Sequence, residues 1–312
     1  MSYANMIFAF VISFIFTFAT TPLVRRFAYK IGAVDIPKDK RRVHKRPTPR
    51  IGGLAIIFGF IVAILSLNDI WTKEMISILI GAGILGVLGV IDDCKELDAK
   101  LKFVVQIAAA LIVVLYGDIR ISVISNPNVF SQSPFVVLAP WLSIMVSVLW
   151  IVFMTNAVNF IDGLDGLAAG VSAIMSMSLV FIAITYHEYE IALLGLALMG
   201  ACFGFLPFNF NPAKIFMGDT GSMFLGGMVV ALAFGTGRPV LLLLIGITYL
   251  CEALSDIVQV VYYKLTKKRF FKMAPIHHHF EKCGWSEHKV VLVFSLFTLI
   301  GCVLAALAII LD

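Results

Sequence analysis

The chain has 312 residues, 60% of them hydrophobic and only 14% charged, with a formal net charge of +5. Soluble domains carry about a quarter charged residues, so this composition excludes an ordinary soluble protein and points to a membrane. The five cysteines are odd in number and scattered, which argues against a disulfide framework and offers no zinc-ligand spacing.

Met6 to Thr20 is apolar, with no basic residue before it and no small-residue cleavage site, so it reads as a retained span rather than a signal peptide. Windows of about 20 apolar residues give ten spans, at 5–24, 51–67, 75–91, 101–117, 138–157, 170–185, 191–207, 222–236, 240–262 and 288–311. The loops at 25–50, 92–102, 158–169, 208–221 and 263–289 hold 10, 3, 0, 1 and 7 Lys plus Arg, together 21 of 24. The opposite loops hold only Lys73, Arg120 and Arg238. The positive-inside rule then puts the first set in the cytoplasm and both termini outside. The net charge reports topology and attraction to anionic lipid and polyphosphate, not nucleic acid. The expectation is an all-α integral membrane protein, one polytopic domain over 1–312. Ile119 to Val137 begins β-branched and carries Asn126-Pro127-Asn128, which predicts a short external β-hairpin.

The chargeable residues gather at the cytoplasmic edges. Asp92-Asp93 ends the third span, where carboxylates must face water or protein and oppose the dipole of their own helix. Lys100 and Lys102 follow, and Lys102 shares a helix face with Gln106. Asn156, Asn159, Asp162 and Asp165 are spaced three apart, but Gly163 and Gly166 interrupt the helix. A helix end opening into a loop of amides and carboxylates suits a base edge, ribose hydroxyls or a metal; the bland alternative is a turn of turn-favouring residues. Asn209, Phe216, Gly218, Asp219 and Ser222 lie in and beyond the next loop. Asp219 to Ser222 would cap the eighth helix, and the amides there attract phosphate. A carboxylate beside phosphate needs a cation between them, and Mg²⁺ is the hard divalent ion of choice.

Ala274-Pro275-Ile276-His277-His278-His279-Phe280-Glu281 holds three adjacent histidines on a cytoplasmic loop. Adjacent histidines point in different directions on a helix, so donation to phosphate oxygens fits better than a zinc site. His44, among Arg41, Arg42, Lys45 and Arg46, reads as basic surface. Glu252 and Asp256 are buried acids in the ninth span, functional or hydrogen-bonding. The segment after Tyr262-Tyr263-Lys264 is expected to continue as an amphipathic helix at the membrane surface, presenting the histidines to the cleft.

With these motifs in place, the chain resembles the polyprenyl-phosphate N-acetylhexosamine-1-phosphate transferases over nearly its whole length. The shared elements are Pro49-Arg50-Ile51-Gly52-Gly53, Asp92-Asp93, Asn159-Phe-Ile-Asp162-Gly-Leu-Asp165-Gly, Phe216-Met-Gly218-Asp219-Thr-Gly-Ser222 and the histidine loop. The histidine loop is similar to that of the branch acting on UDP-MurNAc-pentapeptide. The stretch His44 to Arg50 and the short Asp92-to-Lys102 connection read more like the sister branch acting on UDP-GlcNAc. The resemblance implies attack of undecaprenyl phosphate on the donor's β-phosphate, giving UMP and lipid I. It also implies ten membrane helices, a cytoplasmic cleft in the bacterial inner membrane, Mg²⁺ dependence and a homodimer. Carried onto this chain, it implies that Asp219 binds Mg²⁺. Asp92 becomes the base or orienting carboxylate, and Asp93 supports phosphate and metal. Lys100 or Lys102 would act at the phosphate. Asn209, Phe216 and Asp165 would hold the nucleoside, with Asn159 and Asp162 in the same pocket. His277 and His278 would engage diphosphate or sugar. Two other classes fit less well. A secondary transporter places its ionisable groups near the midplane, and an intramembrane aspartyl protease has no use for the histidines or the basic loop.

Overall fold

The structure, a computed structural model, describes residues 3–36, 47–67, 71–125 and 135–311. His44 with its basic neighbours and the Asn126–Asn128 turn lie outside the described residues.

The chain is helical nearly throughout. In order it forms α1 (Tyr3–Ile31), β1 (Val34–Asp35), β2 (Thr48–Pro49), α2 (Gly53–Leu65), α3 (Lys73–Cys94) and α4 (Ala99–Leu111), which ends in a wider π turn over Ile112–Tyr116. Then come β3 (Val123–Ser125), β4 (Phe135–Val137), α5 (Pro140–Ile161), α6 (Leu167–Thr185), α7 (Tyr189–Asn209) and α8 (Gly218–Gly235). A 3₁₀ turn at Pro239–Leu241 leads into α9 (Leu242–Ile245), α10 (Ile247–Thr266), α11 (Ile276–Lys282) and α12 (Glu287–Leu311). β1 pairs antiparallel with β2, and β3 with β4.

Among the described residues, eight helices are long and apolar enough to cross a membrane. The ten expected spans depart from this in two places. The second, α2, is a 13-residue helix, roughly 20 Å long against a hydrocarbon core of about 30 Å. The ninth is broken: Pro239–Ile245 and Ile247–Thr266 meet at 82° around Gly246. An apolar window cannot register such a break, because both arms are hydrophobic. The surface helix expected beyond Tyr263 also differs. α10 ends at Thr266, an irregular stretch follows, and only the seven residues of α11 are helical again.

Small residues bring the site-bearing helices together. A Cβ on Gly89 of α3 would lie 2.2 Å from the Asp219 carbonyl oxygen. α3 and the start of α8 therefore pack backbone to backbone, the close approach that glycine permits between membrane helices. The segment between β2 and α2 threads the same junction: the Gly52 and Gly53 amides donate to the Phe216 and Met217 carbonyls at 2.9 Å each, and the Phe216 amide to Pro49 at 2.8 Å. The Pro49–Gly53 motif is thus a backbone seam holding the loop before α8.

Candidate active site

At this junction the two acids that end α3 divide their work. Asp93 accepts from the Asp219 amide at 3.1 Å, and from the Thr220 amide and hydroxyl at 2.9 and 2.6 Å. It is the N-terminal cap of α8, supplied by another helix. A carboxylate unfavourable for its own helix C-terminus is favourable here. The Arg50 guanidinium satisfies the Asp93 carbonyl at 2.9 and 2.6 Å, so the end of α3 keeps no orphan there.

Asp92 faces the other way. Its Oδ1 accepts from the Leu97 amide at 2.7 Å and its Oδ2 from Lys102 Nζ at 2.7 Å. The same Nζ stands 3.5 Å from Asp219 Oδ2. Asn159, at the end of α5, donates to Asp219 Oδ1 at 2.9 Å and to the Ser222 hydroxyl at 2.8 Å. Asp92, Lys102, Asp219 and Asn159 therefore form one charged knot across α3, α4, α5 and α8. Lys100 is exposed and outside it.

A cleft of about 990 Å³ opens beside the knot, lined by Asp93, Asn159, Asp162, Asp165, Asn209, Phe216, Gly218, Asp219 and His278 among others. Several expected site residues do not reach it. Asn156 pairs its amide with Gln106, at 2.8 and 3.3 Å, tying α5 to α4. Ser222 is buried and donates to the Gly218 carbonyl at 3.1 Å. His277 is fully buried, its Nδ1 3.0 Å from Glu252 Oε2, so Glu252 and His277 join α10 to α11 beneath the cleft. His279 Nδ1 accepts from the Lys272 amide at 3.1 Å and its ring packs edge-on to Phe271. Three histidines on one turn of helix point three ways, and only His278 lines the cleft, its Nδ1 2.7 Å from Glu281. Asn209 lines it too, but both ends of its amide are engaged, with Gly166 N–H and the Ile215 carbonyl at 3.1 Å each.

Sequence reasoning missed Glu287, Asn211 and Lys214, which also line the cleft. Glu287 opens the last helix, where an acid looks like an ordinary favourable first-turn residue, so no pattern flagged it.

The lining has a cation deficit. Asp35, Asp93, Asp162, Asp165, Asp219 and Glu287 face Arg25, Arg50 and Lys214, six acids to three bases among the described lining residues. Burial, then the charges of Asp219 and Asp93, push the Asp162 carboxyl well above the usual carboxylate range. No group of three His, Cys, Asp or Glu among the described residues would hold a metal unaided. Asp219 and Asp92, converging on one cationic atom beside an acidic cleft, do fit an ion such as Mg²⁺. That ion takes one or two carboxylates and completes its shell with water and phosphate oxygens.

Comparison with known proteins gives the context. The glycosyl transferase family 4 profile matches residues 75–236, from early α3 to just past α8. A phospho-N-acetylmuramoyl-pentapeptide-transferase from Caldicellulosiruptor bescii is 39% identical over 96% of this chain and 96% of its own. The chain belongs to glycosyl transferase family 4. As a member of that family it is a multi-pass membrane protein of bacterial type and a phosphosugar transferase. A second phospho-N-acetylmuramoyl-pentapeptide-transferase, from Clostridium acetobutylicum, is 37% identical over 98% of this chain and 99% of its own. A probable undecaprenyl-phosphate N-acetylglucosaminyl 1-phosphate transferase from Bacillus subtilis is 38% identical over 99% of this chain and 85% of its own. These three relatives, from both branches, are thus 37–39% identical to the chain.

Proposed function

We propose that the chain transfers phospho-MurNAc-pentapeptide from UDP-MurNAc-pentapeptide to undecaprenyl phosphate, releasing UMP and leaving lipid I in the membrane for peptidoglycan synthesis. The observation that carries this reading is the knot of Asp92, Lys102 and Asp219 beside a large cleft whose wall includes His278. Both reactants are anionic, so their mutual repulsion is the first barrier. Lys102 supplies fixed positive charge where the phosphates would meet, and His278 lines the cleft wall. Phe216 offers a ring face for uracil, and Asp162 and Asp165 offer acceptors to the nucleoside. Asp219, with Asp92, would hold Mg²⁺, which when bound neutralises phosphate charge and orients the donor diphosphate. A phosphate monoester has its second pKa near 6 and is mostly dianionic at neutral pH, so proton removal from the acceptor gains little. Asp92 then acts by placing Lys102 and metal charge rather than as a base. The 21-to-3 split of basic residues supports a cytoplasmic cleft with both termini and the β3–β4 hairpin outside. A homodimer belongs to the same proposal.

The test is UMP release and lipid product by purified enzyme in detergent, with undecaprenyl phosphate, Mg²⁺ and each donor in turn. Turnover with the pentapeptide donor and none with Asp219→Ala is the expected result. Turnover with UDP-GlcNAc alone would favour the sister reading, which the Bacillus subtilis relative supports. Mg²⁺ has its own test. The raised Asp162 binds a proton more readily when folded, so stability falls as pH climbs above the ordinary carboxylate value toward the raised one. A cation held by this cluster offsets that loss. The Tm gain from Mg²⁺ is expected to be larger at pH 8 than at pH 5; an equal gain at both would argue against a metal in the acidic knot.

A further inference from the structure

Three segments far apart in sequence build the cleft wall that carries Asp165 and Phe216. The loop 162–166 and the loop 211–216 face each other, and α12 begins behind them. Glu287, first residue of α12, joins them. Its Oε1 accepts from the Asp165 amide at 2.7 Å, and its Oε2 accepts from the side-chain amide of Asn211. The same Asn211 nitrogen donates to Asp165 Oδ2 at 3.2 Å, and the Ala213 amide donates there at 2.8 Å.

We infer that Glu287 is a positioning residue for the sugar nucleotide, fixing the Asp165 loop against the Phe216 loop so that the nucleoside wall is preformed. This rests on the reading of that wall as the donor site. The chemistry demands a carboxylate. Both Glu287 oxygens accept, whereas a glutamine offers one oxygen and one NH₂ group. The Asp165 amide is backbone and cannot turn. With glutamine the NH₂ group then faces Asn211, whose own amide must either meet it donor to donor or rotate. Rotation turns the Asn211 oxygen onto Asp165 Oδ2, removing a bond and adding repulsion. The knot of Asp92, Lys102 and Asp219 sits on α3, α4 and α8 and shares none of these bonds, so the reacting groups keep their geometry.

Glu287→Gln is therefore expected to raise KM for the sugar nucleotide about 10- to 100-fold, the usual scale for a buried donor left facing a donor. kcat and the KM for undecaprenyl phosphate should stay within about threefold. Hydrogen exchange without any donor supplies a second reading: amides 162–166 and 211–216 should exchange faster in the variant. An unchanged KM in enzyme whose wild type turns over the donor overturns the inference while leaving the proposed reaction intact. Raised KM with unchanged exchange also overturns it, since Glu287 would then touch the donor directly, and so does a loss confined to kcat. Should Glu287→Gln not purify as a monodisperse protein, Asn211→Ala removes the bridging amide alone and is read the same way. A silent wild type would be a failure of the proposed reaction, and exchange in the ligand-free protein would still decide the clamp.

Discussion

Lys102→Gln is expected to lower kcat by about 10²–10³-fold, the cost of removing one fixed charge-stabilising group from a preorganised site. Lys102 Nζ lies 2.7 Å from Asp92 and 3.5 Å from Asp219. Without it the two carboxylates stand side by side uncompensated, next to a cleft already short of cations, and the incoming phosphates meet that negative charge. Lys100→Gln should stay within about twofold of wild type, because an exposed lysine on this helix contributes little beyond screened surface charge. Steady-state turnover at saturating donor and acceptor compares the two. Equal losses would mean that the ammonium acts through general surface charge, and the knot would lose its claim as the reacting centre. Extra Mg²⁺ should not rescue Lys102→Gln fully, since a metal held by Asp219 and Asp92 does not restore the fixed ammonium charge offered to the incoming phosphates.

The sequence showed where chemistry gathers better than which atoms take part. Hydropathy and the basic-residue split located Asp92, Asp93, Asp162, Asp165 and Asp219 at span ends, and the structure brings Asp93, Asp162, Asp165 and Asp219 to one cleft. Adjacent residues defeated the reading because neighbours on a helix diverge by about 100°. Asp92 and Asp93 look like a pair, yet one binds Lys102 and the other caps α8. The three histidines separate likewise, with His277 buried on Glu252 and His279 turned to Lys272. Asn156 sits in register with Asn159 by spacing but meets Gln106 instead, because α4 packs on that turn of α5. Glu287 and Asn211 were illegible for a different reason: their meaning comes from contacts across 46, 76 and 122 residues of sequence. The break at Gly246 was hidden because hydropathy reports solvent preference and carries no direction.

Gly218→Ala should be among the most damaging substitutions of a single methyl group in this chain. Gly218 adopts φ +70°, where an L side chain is strained, and its added Cβ would sit 1.8 Å from the Arg50 carbonyl oxygen and 2.6 Å from Asp93 Oδ2. Neither neighbour can retreat cheaply. The Arg50 segment is pinned by the Gly52 and Gly53 amides to Phe216 and Met217, and Asp93 by three bonds to the start of α8. Relief must come from moving α8 away from α3, which shifts Asp219 from Lys102 and opens the cap. The expected cost is roughly 3 kcal/mol or more of stability, in the range of backbone strain joined to a steric clash. Activity should fall below about 1% of wild type, as a catalytic group displaced by an ångström loses about a hundredfold. Gly237→Ala separates the two causes. It has nearly the same backbone, φ +69°, but nothing within 4 Å of its added Cβ. That variant should lose only about 1–2 kcal/mol from the left-handed conformation and keep its turnover. Thermal unfolding and donor turnover of both proteins decide the matter. Similar losses in the two would mean that dihedral strain alone governs Gly218, and that the seam between α3 and α8 is looser than its hydrogen bonds imply.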